Sequence, residues 1–418
     1  MNGLRVPALG GFKVPALGGF KVPALDGFRA SALVCPYCYN RFGERDIGFR
    51  CTGRPGPRGK TCDVQRDEHQ ARLLNFVTPL PPVFAGDGRK LRAVCPDCGE
   101  ETPHRVCPHC HSRLPLKYGK VDSRLIAMIG ASQSGKTVFV TVLMHELMHR
   151  LGGILDAACL GSDDETLKSF NSYDHGLYDQ HELPRKTDPV AAPSQRQPLV
   201  FRLAMTRRRP LRPPREQQTI LSFFDTAGED LTSRESIELN VRYLANSHAI
   251  IMLLDPLQMP GARSQALSGA ILPGSGARFD TAANVLGRVT DLLGVARDGA
   301  NGTIQKPVAV VLSKLDALEH TLSAGSPLTQ LPAARPEFDE RDSMAVHLQA
   351  QALLDEWDGP QIDRHMRHFF AHYRYFGVSA LGCLPADPVT ASAIRPYRVH
   401  DPFLWLLSEF GAIPVKRG

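Results

Sequence analysis

Eight consecutive residues, Gly130-Ala-Ser-Gln-Ser-Gly135-Lys136-Thr137, have the types and the spacing of a cradle for a polyphosphate. Gly130 and Gly135 let the backbone wrap closely, so that the N–H groups of Ser132, Gln133 and Ser134 and the start of a helix point at an anion. Lys136 brings a positive charge to the outer phosphates. Thr137 offers a hydroxyl to Mg²⁺, which takes oxygen ligands and shares them with the phosphates. An apolar run precedes the motif and an amphipathic run follows it, as a cradle of this kind requires.

Three later segments carry chemistry that would complete such a site. Asp225-Thr-Ala-Gly228-Glu229 follows an apolar strand, where Asp225 could share the magnesium and the N–H of Gly228 could reach a γ-phosphate. Ser313-Lys314-Leu-Asp316 follows another apolar run. An ionised Asp only accepts hydrogen bonds. Guanine offers two adjacent N–H donors on its N1/N2 edge, whereas adenine has an acceptor at N1, so Asp316 would select guanine while the stem of Lys314 covers the base. Ser379-Ala380-Leu381 comes after the last apolar strand and could place a backbone N–H against the guanine O6.

In this order the four segments resemble the G1, G3, G4 and G5 motifs of Ras-like GTPases of the translation-factor class, over residues 120–385. Two positions depart from that pattern. Ser313 stands where Asn or Thr is usual, and Glu229 stands where Ras-like proteins carry a water-orienting Gln. Glu229 cannot donate an amide hydrogen bond and, ionised, repels a γ-phosphate, which counts against fast intrinsic hydrolysis. Thr187, in Leu183-Pro-Arg-Lys-Thr-Asp-Pro189, is the candidate switch threonine. More closely, the chain resembles the bacterial double-GTPase type 2 family, through its cysteine pairs before the cradle, Leu183-Pro184 with Thr187, Leu253-Leu-Asp-Pro256 and Asp401-Pro-Phe-Leu-Trp-Leu-Leu407. That resemblance implies a Mg²⁺-dependent GTPase acting as a molecular switch, with Lys136, Thr187, Gly228 and Glu229 at the reacting phosphate. It also implies a protein partner, a second GTPase in a bacterial defence or signalling system. Two other readings stay open at this point. One is a nucleotide-sensing interaction module with little hydrolysis; the other is a zinc-ribbon nucleic-acid-binding ATPase.

The chain has ten cysteines, eight of them between Cys35 and Cys110 and six of those eight in CxxC pairs. Cys95, Cys98, Cys107 and Cys110 have the spacing of a two-knuckle zinc ribbon, and Cys35, Cys38, Cys51 and Cys62 are expected to form a second structural Zn²⁺ site. His104, His109 and His111 are spare donors. No signal peptide or membrane span is expected, so thiols in a reducing, cytoplasmic setting suit metal better than disulfides. Residues 1–118 hold 18 Lys/Arg against 10 Asp/Glu, but thiolate-bound zinc sites would offset much of that excess, so nucleic acid is only weakly indicated.

The elements that must hold these residues belong to an α/β P-loop NTPase fold: a mostly parallel sheet with helices on both faces, preceded by small zinc-ribbon modules. Strands are expected at 124–129, 199–205, 219–224, 249–254, 308–312 and 373–378, with an Arg-rich turn at 207–215. Helices are expected at 137–151, 280–296 and 344–357. The runs 249–254 and 308–312 are wholly apolar, as strands covered on both faces should be. Residues 157–197 and 256–279 read as long connections. The chain then divides into octapeptide repeats (RVPALGGF, KVPALGGF and KVPALDGF) read as disordered over 1–33, cysteine-rich modules over 34–118 and a nucleotide domain over 119–418.

Overall fold

The computed structural model describes residues 33–417 apart from 58, 75, 132, 185–197, 210–211, 224–240, 274–280, 295–301, 332–334, 358 and 385–393. The octapeptide repeats therefore lie outside the described residues. So do Ser132, Thr187, Asp225, Gly228 and Glu229.

A seven-stranded sheet organises the chain from Asp122 onward. Its order is Tyr373–Gly377, Val308–Leu312, Ala249–Leu254, Asp122–Gly130, Arg212–Phe223, Leu199–Arg209 and Ala157–Gly161. The first five run parallel; Leu199–Arg209 runs antiparallel to both of its neighbours. The parallel strands are apolar along their length because both faces are covered, and every residue of Ala249–Leu254 and Val308–Leu312 is buried.

The two faces follow from the period of two along each strand. Ile126, Met128, Ala249, Ile251 and Leu253 point to one face, where they meet helices Lys136–Glu146, Asp164–Asp174 and Asp401–Glu409. Leu125, Ala127, Ile129, Ile250, Met252 and Leu254 point to the other. Helices Ala282–Gly294, Glu340–Glu356 and Pro360–Phe369 cover part of that second face. The remainder is closed by the first cysteine knuckle: Cys35, Tyr37, Cys38, Tyr39 and Phe42 belong to the same continuous core as Val200, Ile220 and Tyr243.

The expected strands and the helices at 137–151, 280–296 and 344–357 all form, most to within a few residues at their ends. The hairpin strands, however, run on to Arg209 and from Arg212, so most of the stretch 207–215 expected as an Arg-rich turn is paired strand. Helix Lys136–Glu146 continues as a wider π-type turn to Leu151. The stretch read as a connection over 157–197 instead contains the edge strand Ala157–Gly161 and the helix Asp164–Asp174. That helix is signalled locally. The carboxylate of Asp163 accepts a hydrogen bond from the N–H of Thr166 at 2.8 Å, and Asp164 and Glu165 sit in its positive first turn. Its sequence is otherwise polar, burying only Thr166 and Phe170, so its apolar period is faint.

Arg398, 1% exposed, fastens the C-terminal part. Its guanidinium donates to Asp342 at 2.8 and 2.9 Å, to Asp401 at 2.7 Å, and to the carbonyls of Pro327 and Gln330. It thereby ties helix Glu340–Glu356 on one face to helix Asp401–Glu409 on the other. Removing one partner of a buried pair strands the other charges without water. Arg398→Met is expected to lower the free energy of unfolding by about 3–5 kcal/mol, measured by denaturant titration.

Candidate nucleotide site and cysteine clusters

The cradle forms where the central strand Asp122–Gly130 turns into helix Lys136–Glu146. Gly130 is required there by space. A Cβ at this position would lie 2.7 Å from the Ser134 hydroxyl and 2.8 Å from the carbonyl of Leu253. Gln133 and Gly135 both take left-handed backbone, with φ of 62° and 83°, which curls the loop back over its own helix. Lys136 reaches across the loop, its ammonium 2.9 Å from the carbonyl of Gly130. Thr137 is the second residue of the helix and is partly exposed, so its hydroxyl can face a ligand.

The base-selecting segment is tied to the cradle directly. The Ser313 hydroxyl lies 2.9 Å from the carbonyl of Ser134 and 3.2 Å from that of Leu254, joining the ends of two strands to the loop. Ser313 thus ties the base segment to the cradle although Asn or Thr is usual at its position. Lys314, with φ of 55°, crosses the loop: its Cε would stand 3.9 Å from a Cβ on Gly135. Its ammonium bonds the carboxylate of Asp255 at 2.6 Å. Asp255 is fully buried at the end of strand Ala249–Leu254, and its other oxygen accepts from the N–H of Leu257 at 2.9 Å. Burial pushes the Asp255 carboxyl up, and the charge of Lys314 opposes that shift. Sequence reasoning picked out Leu253-Leu-Asp-Pro256 only as a family likeness and gave Asp255 no role. Its placement beside Lys314 depends on the order of the strands, which spacing does not encode.

Asp316 follows in the turn after Lys314. Ser379 donates its hydroxyl to Asp316 at 2.5 Å, and its oxygen accepts the N–H of Gly382 at 2.9 Å. The third and fourth segments therefore meet at one carboxylate, with Ala380 in the same turn. Burial raises the pKa of Asp316, while the Ser379 hydrogen bond lowers it. Gly130, Gln133, Ser134, Gly135, Lys136, Thr137, Lys314, Asp316, Ser379 and Ala380 thus all lie at the C-terminal ends of neighbouring parallel strands, where open α/β sheets bind ligands.

The eight clustered cysteines form two sets of four, but not the expected ones. Cys35 and Cys38 join Cys107 and Cys110; Cys51 and Cys62 join Cys95 and Cys98. The outer set encloses the inner one along the chain, so the 95–110 ribbon expected from spacing is divided between two sites. The physical reason lies in strand pairing. Gly48–Arg50 pairs with Arg105–Val106, which brings the chain just before Cys107 back toward the first knuckle. Sulfurs lie 3.6 and 3.8 Å apart in each set. A tetrahedron with Zn–S bonds of about 2.3 Å has edges of ~3.8 Å, so both sets fit zinc. The N–H groups of Tyr37, Gly53 and His109 point at cysteine sulfurs at 3.4 Å, as in a metal-binding knuckle. Burial pushes the Cys35 and Cys110 thiols up, so holding thiolates there needs a cation. The spare histidines take other partners: His111 bonds Asp67, and His109 bonds the carbonyl of Arg41. Cys159 is a buried core thiol on the edge strand, and His145 bonds Asp174 while stacking on Tyr178.

Nested pairing makes a definite prediction for native mass spectrometry. Cys35→Ser with Cys38→Ser should cost one zinc, Cys107→Ser with Cys110→Ser should cost the same one, and all four together should still leave one. Ribbon-wise pairing would leave none in the combined variant.

The family model for Double-GTPase 2 matches residues 124–364. A Mycolicibacterium smegmatis protein named for ESX-1 scaffolding and assembly, SaeC, is 27% identical over 331 residues, 74% of this chain and 80% of that protein. Among solved structures, a variant of SsGBP matches at 11% identity and a TM-score of 0.29, over 69% of this chain and 57% of that one. The Arl6 BBS3 small GTPase of Trypanosoma brucei matches at 12% identity and a TM-score of 0.26, over 69% of this chain and 98% of that one. At such scores the strand order and the cradle, rather than these overlays, define the fold. With its family model spanning more than half of the sequence, the chain belongs to the Double-GTPase 2 family and carries a GTP-binding domain.

Proposed function

We propose that the protein is a guanine-nucleotide switch that hydrolyses GTP. The observation that carries this reading is the stitching of the base segment to the phosphate cradle through Ser313 and Lys314. That link fastens the loop bearing Asp316 to the loop bearing Lys136, which supports reading them as the base end and the phosphate end of one nucleotide site. In this reading the cradle N–H groups and Lys136 hold the phosphates, and Asp316 accepts from guanine N1 and N2. The stem of Lys314 walls the base, and the turn at Ser379 and Ala380 faces O6. Thr137 and Asp225 would hold magnesium, which when bound offsets charge on the outer phosphates. Thr187 and Gly228 are assigned to the γ-phosphate, and Glu229 takes the sequence position at which Ras-like proteins carry the water-orienting Gln.

Glu229 favours a second reading of the same site: tight binding with slow turnover until a partner supplies the missing donor. The relative named for scaffolding supports a protein partner of this kind, and the family resemblance suggests that a second GTPase fills that place. Single-turnover hydrolysis with and without cell extract separates the two readings, since turnover only with extract supports the partner-dependent one. No helix among the described residues is long and apolar enough to cross a membrane.

The test of base recognition is competition for the purified, zinc-loaded chain. GTP should displace a fluorescent guanine nucleotide, and ATP should not. Asp316→Asn replaces an acceptor by a donor and should weaken GTP by about 100-fold or more, while improving xanthine nucleotides relative to GTP. Preference for ATP in the unaltered chain would overturn the guanine reading. Because burial raises the Asp316 pKa, GTP affinity should fall on the acid side as that carboxylate takes up a proton, with adenine nucleotides unaffected.

A further inference from the structure

The knuckle of the outer cysteine set bonds to both flanks of residues 224–240. On the leading flank, the Ser222 hydroxyl donates to the carbonyl of Pro36 at 2.9 Å. A hydroxyl has one proton, so the 2.9 Å contact between Ser222 and Tyr39 is donated by the Tyr39 phenol. On the trailing flank, Tyr243 packs its ring 4.7 Å from that of Tyr39. The Tyr243 phenol sits 2.7 Å from the carbonyl of Ser222 and accepts the N–H of Met128 at 2.6 Å. Asn246 donates to the carbonyl of Tyr39 at 2.8 Å and accepts from Arg41 at 2.7 Å. Tyr39, Ser222 and Tyr243 are all at 0% exposure. A third contact reaches the edge of the sheet: the Tyr37 phenol donates at 2.7 Å to Asp163, the cap of helix Asp164–Asp174.

Such contacts are more than a metal module needs merely to rest on a sheet. A buried phenol without its partner costs free energy, so Tyr39 and Ser222 restrain one another. Ser222 is the penultimate residue of strand Arg212–Phe223 and stands three positions before Asp225 in the sequence. We infer that the outer metal knuckle is a positioning element of the nucleotide site, acting through Tyr39, Ser222 and Tyr243 on the strand end that leads to Asp225, so that metal occupancy at Cys35, Cys38, Cys107 and Cys110 and occupancy of the cradle by Mg²⁺-nucleotide are linked. This rests on the assignment of Asp225 to magnesium given above. Linkage is reciprocal: whatever the knuckle does for the nucleotide, the nucleotide does for the metal.

The reciprocal direction gives the cleaner experiment. Zinc release from the full chain to a colorimetric chelator is followed without nucleotide, with Mg²⁺-GDP, and with a non-hydrolysable Mg²⁺-GTP analogue. The expected result is that nucleotide slows one of two release phases by about fivefold or more. In Tyr39→Phe, which keeps the ring and removes only the hydroxyl, that difference should disappear. Ser222→Ala should do the same. Both variants should still hold two zinc ions, and their nucleotide affinity should depend less steeply on Mg²⁺ concentration than that of the unaltered chain. Merely structural contacts would lower the melting temperature and leave that Mg²⁺ dependence unchanged. If the chain binds guanine nucleotide while both release phases ignore it, the inference is wrong and the proposed function stands. If it binds no guanine nucleotide at all, both fall together.

Discussion

A parallel sheet buried on both faces has to be covered twice, and in this chain part of that covering is made by a cysteine knuckle instead of a helix. Cys35 and Cys38 sit in a tight turn that carries the rings of Tyr37 and Tyr39. Placed over Leu125, Ala127, Val200 and Ile220, they become core. The rest of the arrangement depends on this. The strand bearing Ser222 is pinned from above, the central strand receives the Tyr243 phenol at Met128, and the cradle at the end of that strand inherits a fixed base.

The nucleotide site is built on the opposite principle, with small polar side chains replacing bulk. Ser313 ties the cradle to the end of strand Ala249–Leu254 through two carbonyls, and Lys314 is anchored by a fully buried Asp255. A buried aspartate is tolerated there because each of its oxygens has a donor, one the ammonium and one a backbone N–H. The cost of that burial is offset locally, and its return is a lysine stem held at a set distance from Gly135. Ser379 does the equivalent for Asp316. Lys314 and Asp316 are each fastened by a short side-chain hydrogen bond, at 2.6 and 2.5 Å.

Much of this was legible in the residues. Strands 249–254 and 308–312 are apolar throughout, as strands of a doubly covered parallel sheet should be. The cradle announced itself by glycine spacing between a strand and a helix, and Lys314, Asp316 and Ser379 were found by their positions after later strands. What could not be read was whatever depends on which elements become neighbours. CxxC spacing identifies knuckles but not their partners, because a second knuckle can come from anywhere the strand pairing brings it, here from Cys107 for Cys38. Edge strand Ala157–Gly161 was missed because it alternates weakly and leaves Ala158 and Leu160 exposed. Helix Asp164–Asp174 was missed because it buries little; its cap at Asp163 was the available signal. Tyr39 sits in a cysteine-rich stretch where an aromatic reads as local packing, and only the fold shows that it touches the sheet.

The central claim is that one contiguous region, spanning residues 130–140, 313–317 and 378–382, closes around a guanine nucleotide. Hydrogen–deuterium exchange of the zinc-loaded chain, with and without Mg²⁺-GDP, measures this directly. The account predicts slowed exchange in all three segments together, with the inner cysteine set near Cys51 and Cys62 unchanged. Unaltered exchange in 313–317 and 378–382 while 130–140 is protected would mean that phosphate alone is held, and would contradict it.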